Sequence, residues 1–292
     1  METKLIDFHN HFFPPGYEHA IVRASPPGQR ARWKALAASL CDEDLLLRDI
    51  REGALEARVV NSSPALIGDH VGHETIVALN DALADLVARH PGRLYGLGSV
   101  DAYDGERSAR EAERCIRELG LRGLFVDCAR GELMIDAPEA RPTLEAAAQL
   151  GVPVFVHPVA PQPLTARMAP YGLTGALYAR GTANSAALIA LLEGGVLSAL
   201  PGLRVVVTAL ALGGIAMAAA LSTRSLKQVF IDTNLVHPAL IRASIDLLGA
   251  GNVLAGSDWP VNDTALRFSG LSNEEQEAIA AGNCRRLLGL NS

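Results

Sequence analysis

Short runs rich in β-branched and aromatic residues alternate with Ala-, Leu-, Glu- and Arg-rich stretches along the whole 292-residue chain. The β-type runs fall at 5–9, 57–61, 94–101, 121–128, 152–157, 203–208, 229–233 and 253–258. Between them lie amphipathic segments at 80–89, 108–119, 141–150, 185–192 and 238–248, and a closing helix is predicted over 276–290. Strands that alternate with helices pair in parallel through right-handed crossovers. Eight such units predict an α/β fold, a (β/α)8 TIM-type barrel, as a single domain over 1–292. No repeat, low-complexity tract or domain boundary interrupts the pattern.

Successive strands are about one βα unit apart except after the first, second and fifth. The extra length includes the proline-bearing segments 12–40 and 158–181, predicted as loops that wall or cover a pocket. The uncharged stretch 205–221, at 17 residues, falls short of the ~18 expected of a membrane span. It contains Gly213-Gly214 and reads as strand, turn and helix start. Composition works by exclusion. A chain 49% hydrophobic and 20% charged is neither disordered nor collagen-like nor a coiled coil. Twenty-six Lys+Arg against 32 Asp+Glu, a net charge of −6 without a basic run, argue against nucleic acid or membrane as partner. A small-molecule substrate is expected, and a homodimer is left open. Cys41, Cys115, Cys128 and Cys284 form no C-x-x-C, and METKLIDFHNH has no leader pattern, so the expected location is cytoplasmic.

A barrel carries its chemistry at the C-terminal ends of its strands. Those ends hold His9, His11, Asn61, Asp101, Asp127, His157, Thr208, Asp232 and Asp258, polar residues in strands otherwise built of Val, Leu, Ile and Phe. In His9-Asn10-His11 the alternation of a strand turns both imidazoles to one face, a donor pair suited to Zn, Mn or Fe. Asp7 shares that face in a regular strand and would orient a ligand from behind. His157 ends a buried apolar strand before Pro158, where a third ligand would sit. Asp258, between Gly256-Ser257 and Trp259-Pro260, reads either as a weak ligand and proton acceptor or as a helix N-cap.

Together these segments resemble the amidohydrolase superfamily, in the amidohydrolase-related branch that includes aminocarboxymuconate-semialdehyde decarboxylase. The resemblance rests on Ile6-Asp-Phe-His-Asn-His, Phe155-Val-His-Pro, Leu200-Pro-Gly-Leu-Arg-Val-Val-Val and Gly256-Ser-Asp-Trp-Pro, in the family's order over nearly the whole chain. It implies one divalent ion, zinc first with manganese or iron as alternatives, held by His9, His11, His157 and Asp258. One position departs. The family usually carries a His after strand six, and here alignment offers Ala209 or Ala211, neither of which binds metal or moves a proton. His237 in the seventh loop, or His70 and His73 in the second, would have to substitute.

The leading expectation is a metal-dependent hydrolase of a small cyclic or carboxylated molecule, with Asp258 taking a proton from an activated water. The alternative is a non-oxidative decarboxylase of an aromatic or unsaturated acid, with His237 as the acid. A barrel that binds without turnover is the third reading. Thr208, Asn234, Arg23 and Arg167 are expected to contact substrate, with Arg30, Arg32, Lys34 and Arg180 as further cations in the long loops.

Overall fold

Every β-type run in the sequence becomes a strand, because each is apolar on both faces and so is stable only between two packed layers. The computed structural model describes residues 4–17, 22, 30–68, 71–234, 237–262, 266 and 268–290. β1 (Ile6–His11), β2 (Ala57–Asn61) and β3 (Leu94–Gly96) pair in parallel in that order. β4 (Gly98–Ser99) and β5 (Leu124–Asp127) continue the ring, and a two-rung hairpin, β6 (Ala129–Arg130) with β7 (Leu133–Met134), stands outside it. β8 (Pro153–His157), β9 (Arg204–Val207), β10 (Val229–Asp232) and β11 (Val253–Leu254) complete the parallel order β4-β5-β8-β9-β10-β11.

The run predicted as one strand over 94–101 is broken at Leu97, so β3 pairs with β2 and β4 with β5. It belongs to both sheets. The ring closes on the other side, where Phe8 N donates to Ala255 O and His11 N to Trp259 O, both at 2.8 Å. Asn10 and Trp259 form a parallel bridge there. The eight strand positions therefore make the expected (β/α)8 barrel.

Alternation sorts the strands into two cores. Phe8, Val59, Phe125, Phe155, Val206 and Phe230 point inward and pack on the closing helix through Cys284 and Leu287. Val60, Val126, Val154, Val156, Val205 and Val207 point outward against the helices. The uncharged stretch resolves as β9, a single 3-10 turn Ala209–Ala211 and the helix Leu212–Leu221. Among the described residues no helix is long and apolar enough to cross a membrane.

Two expectations about loops are corrected. The segment 158–181 contains the helix Leu164–Met168 and the opening turns of a 22-residue helix, Gly172–Glu193. Its glycines hide the helix in the sequence, yet packing requires them. A Cβ on Gly181 would lie 2.8 Å from Leu210 O, so the helix runs against the turn after β9 at a distance only glycine permits. The segment 12–40 ends in the helix Arg30–Ser39, on which Arg30, Arg32 and Lys34 are exposed. Arg23 and His70 lie outside the described residues.

Candidate metal centre

The strand ends bring His9, His11, His157 and Asp258 together, with one donor atom from each lying within 4.8 Å of the others. His9 Nε2 and His11 Nε2 are 3.2 Å apart. Asp258 Oδ1 is 3.4 Å from the first and 3.1 Å from the second. Atoms bonded to one ion at about 2.0–2.1 Å lie roughly 3 Å from each other, so the spacing suits a single divalent cation.

Hydrogen bonding fixes what these atoms present. Asp232 Oδ2, an acceptor, lies 2.7 Å from His9 Nδ1, which must therefore carry that ring's proton. Asn61 spends its amide nitrogen on Asn10 O, leaving Oδ1 to accept from His11 Nδ1 at 2.7 Å. Both neutral imidazoles thus turn an Nε2 lone pair toward each other and toward a carboxylate. Three electron-rich atoms at such range repel one another unless a proton or a metal cation lies between them. His157 adds a fourth donor: its Nδ1 is buried and has no hydrogen-bond partner among the described residues. Burial, with Arg180 and the other two histidines nearby, pushes His157 well below the usual histidine range, so its ring stays neutral. Burial alone would lower His9 too, but Asp258 and Asp232 outweigh it and raise it. Burial would raise Asp258, whereas His9 and His11 hold it below the usual carboxylate range. The residues present fit a divalent ion.

The backbone aims the fourth group. Asp258 has φ +67°, the one described non-glycine residue with positive φ, a conformation costing about 1–2 kcal/mol. Its N–H donates to His9 O at 2.9 Å, and Asn234 Nδ2 donates to its Oδ2 at 3.2 Å. Asp258 is therefore held by the strand it faces, rather than serving as the cap of a following helix.

The regular-strand expectation fails at Asp7. The β1–β2 register shifts between Asp7 and Asn10, which lets Phe8 and His9 both face the interior. Asp7 instead accepts from Ser257 Oγ at 2.6 Å and pairs with Arg58, itself only 2% exposed, at 3.2 Å. Burial raises Asp7 despite Arg58 and Ser257. Arg58 also donates to Asn10 Oδ1 at 2.5 Å and sits 5.0 Å above the Trp259 ring. This network fastens the histidine-bearing strand to the Asp258 turn.

Other predicted site residues lie elsewhere or are already engaged. His237 is exposed and caps the helix Pro238–Leu248, its Nδ1 accepting from Ala239 N. Arg167 is exposed on the helix Leu164–Met168, and His73 begins the helix His73–Arg89. Thr208 is buried, its hydroxyl donating to Asn184 Oδ1 at 2.9 Å. Asn184 escaped the sequence reading, since nothing local distinguishes a buried helical Asn. At the strand-six position Ala209 offers its backbone N–H, which donates to Asp232 Oδ1 at 2.8 Å, while Ala211 is buried in the outer core. Of the loop cations, Arg180 stands beside the cluster: half-buried, it reaches His157, Asp127 and Asp258 electrostatically.

A family model described as Amidohydrolase matches residues 6–290. The chain belongs to this amidohydrolase family. The amidohydrolase chain is 27% identical over 301 residues to a gamma-resorcylate decarboxylase from Polaromonas sp. (strain JS666), covering 89% of this chain and 91% of that one. It is 25% identical over 334 residues to a 2-amino-3-carboxymuconate-6-semialdehyde decarboxylase from Dictyostelium discoideum, covering 98% and 92%. A dihydroxybenzoic acid decarboxylase from Polaromonas sp. JS666, solved with manganese and 2-nitroresorcinol, superposes with a TM-score of 0.82 at 21% identity, over 99% and 98% of the two chains. That likeness is one of fold.

Proposed function

We propose that this amidohydrolase is a metal-dependent carboxy-lyase that removes CO2 non-oxidatively from a small aromatic or unsaturated acid. Hydrolysis, the leading expectation from sequence, takes second place. The observation that carries the reading is Arg180, a half-buried guanidinium beside the cluster with no hydrogen bond or ion pair among the described residues. A half-buried cation without a partner among the described residues suits an anionic substrate group, which every carboxy-lyase substrate carries and only some hydrolase substrates do. The likeness to decarboxylases over about nine-tenths of both chains points the same way.

His9, His11, His157 and Asp258 would hold the ion, for which manganese is as reasonable as zinc given the related fold solved with it. When bound, a divalent ion supplies Lewis-acid stabilisation of negative charge on the substrate. Asp232 and Asn61 fix the orientations of the His9 and His11 rings, so each turns Nε2 toward the place the ion would take. Arg180 anchors the substrate as an anion. The bond from carbon to carboxylate breaks, CO2 leaves, and the electron pair stays on the carbon. Asp258, a carboxylate at rest, relays a proton from solvent to that carbon through its 14% exposed side chain and ends as the carboxylate again. Asn234, hydrogen-bonded to Oδ2, keeps the carboxyl in place. No strand-six histidine is needed in this scheme, so Ala209 and Ala211 do not count against it.

The test is a screen of hydroxybenzoic and unsaturated dicarboxylic acids with manganese-loaded protein in deuterium oxide. The expected result is CO2 release with one deuteron at the vacated carbon. Turnover without CO2, with oxygen from labelled water in the product, overturns the reading in favour of hydrolysis.

A further inference from the structure

A second polar group at the barrel mouth has no hydrogen-bond partner among the described residues. On β5 the side chains alternate, with Leu124 and Val126 in the outer core and Phe125 in the inner one. The Phe125 ring packs 4.9 Å from that of His157 and 6.0 Å from that of His11. Asp127, two residues on, shares this inward face and is in register with His157 on β8. Its Oδ1 is shielded from solvent and accepts no hydrogen bond. Tyr103 donates to the backbone oxygen of Asp127, and Arg130 pairs with Asp101, so these two neighbouring donors are spent elsewhere. Arg180 reaches Asp127 electrostatically without forming an ion pair with it. Buried acceptors are almost always satisfied, and an orphan in a binding mouth marks a place for a ligand's donor. Consistent with this, burial raises the Asp127 carboxyl to about 7, against the opposing effect of Arg180.

We infer that Asp127 and Arg180 form a recognition subsite for an acid that also carries a hydroxyl or amino group, Arg180 taking the carboxylate and Asp127 the donor. The inference rests on the carboxy-lyase reading for the carboxylate. For the donor it rests on Asp127 alone. Asp127 is thus a specificity residue, selecting hydroxy- or amino-substituted acids over unsubstituted ones of the same shape.

Calorimetric titration of manganese-loaded protein with benzoate and its three monohydroxy isomers tests it, with a thermal melt verifying that each variant folds. The wild type should bind at least one hydroxy isomer about tenfold to a hundredfold more tightly than benzoate, the range of one hydrogen bond to a charged group. Asp127→Leu should bring that ratio within about twofold of one, while Asp127→Asn, which keeps Oδ1, should retain part of it. An unchanged ratio in folded Asp127→Leu, or no preference in the wild type, overturns the subsite. Asp127-dependent discrimination in a protein that releases no CO2 supports the subsite and sinks only the carboxy-lyase reading. CO2 release with Asp127-independent discrimination does the reverse.

Discussion

Asp258 is asked to be donor atom, proton carrier and left-handed backbone residue at once, and substitution separates these duties. Asp258→Asn keeps the shape and one oxygen but cannot carry the proton. General acid–base catalysis typically contributes ~10²–10⁴-fold, so kcat should fall at least about a hundredfold. Steady-state kinetics at matched metal content decides it, and turnover within threefold of wild type would remove Asp258 from proton transfer. Asp127 carries a different signature. Its carboxyl is raised from 3.8 to about 7 by burial, so the folded state holds that proton more tightly than the unfolded chain. The associated stability is complete below about pH 4 and is lost as pH rises through 7. Asp127→Asn should therefore melt higher than wild type at pH 8 and by a much smaller margin at pH 5. Equal margins at the two pH values would show that Asp127 is not the titrating group. A recognition residue that weakens the empty fold is a familiar trade of stability for function.

At the scale of elements, the site depends on how closely the helix Gly172–Glu193 approaches the turn after β9. That helix brings Arg180 to the mouth and Asn184 to Thr208. Added Cβ atoms would lie 2.8 Å from Leu210 O at Gly181 and 2.8 Å from Ser185 Cα at Gly214, so both sides of the contact use glycine. Gly181→Ala should cost about 1–3 kcal/mol, the usual penalty of overpacking, because the obstacle is backbone and cannot rotate away. Urea denaturation measures it. A loss below about 0.5 kcal/mol would mean that the helix shifts freely.

For the molecule as a whole, the barrel gathers two imidazole lone pairs, a third buried imidazole and a carboxylate around one point. Folding thereby stores repulsion that a cation relieves, so the ion should stabilise the native state by mass action. At a hundredfold excess over Kd this amounts to about 2.7 kcal/mol. Stripping with a chelator should lower the melting temperature by several degrees, and manganese should restore it. His11→Ala should melt the same with and without the ion. A wild-type melting temperature indifferent to chelator and manganese would dissolve the centre.

The sequence alone determined the barrel, because strands buried on both faces spell themselves out as unbroken apolar runs and each ends on a polar residue. It also picked out His9, His11, His157 and Asp258, which come from two strands and the turn after the last strand but all lie at or just past the end of such a run. Four things were settled only by tertiary structure. The register shift in β1 sends Asp7 to Arg58, and a local alternation rule cannot foresee a slip imposed by the neighbouring strand. His237 looks like a catalytic substitute in the sequence, whereas helix-end geometry makes it a cap. Arg180 is chosen over the exposed Arg167 because a guanidinium's neighbours depend on the face of a helix that its glycines disguise as a loop in the sequence. Asp127 stood among the strand ends from the start. That its oxygen lacks a donor follows from where Tyr103 and Arg130 spend theirs and from Arg180 forming no ion pair with it among the described residues, and only the folded chain fixes that.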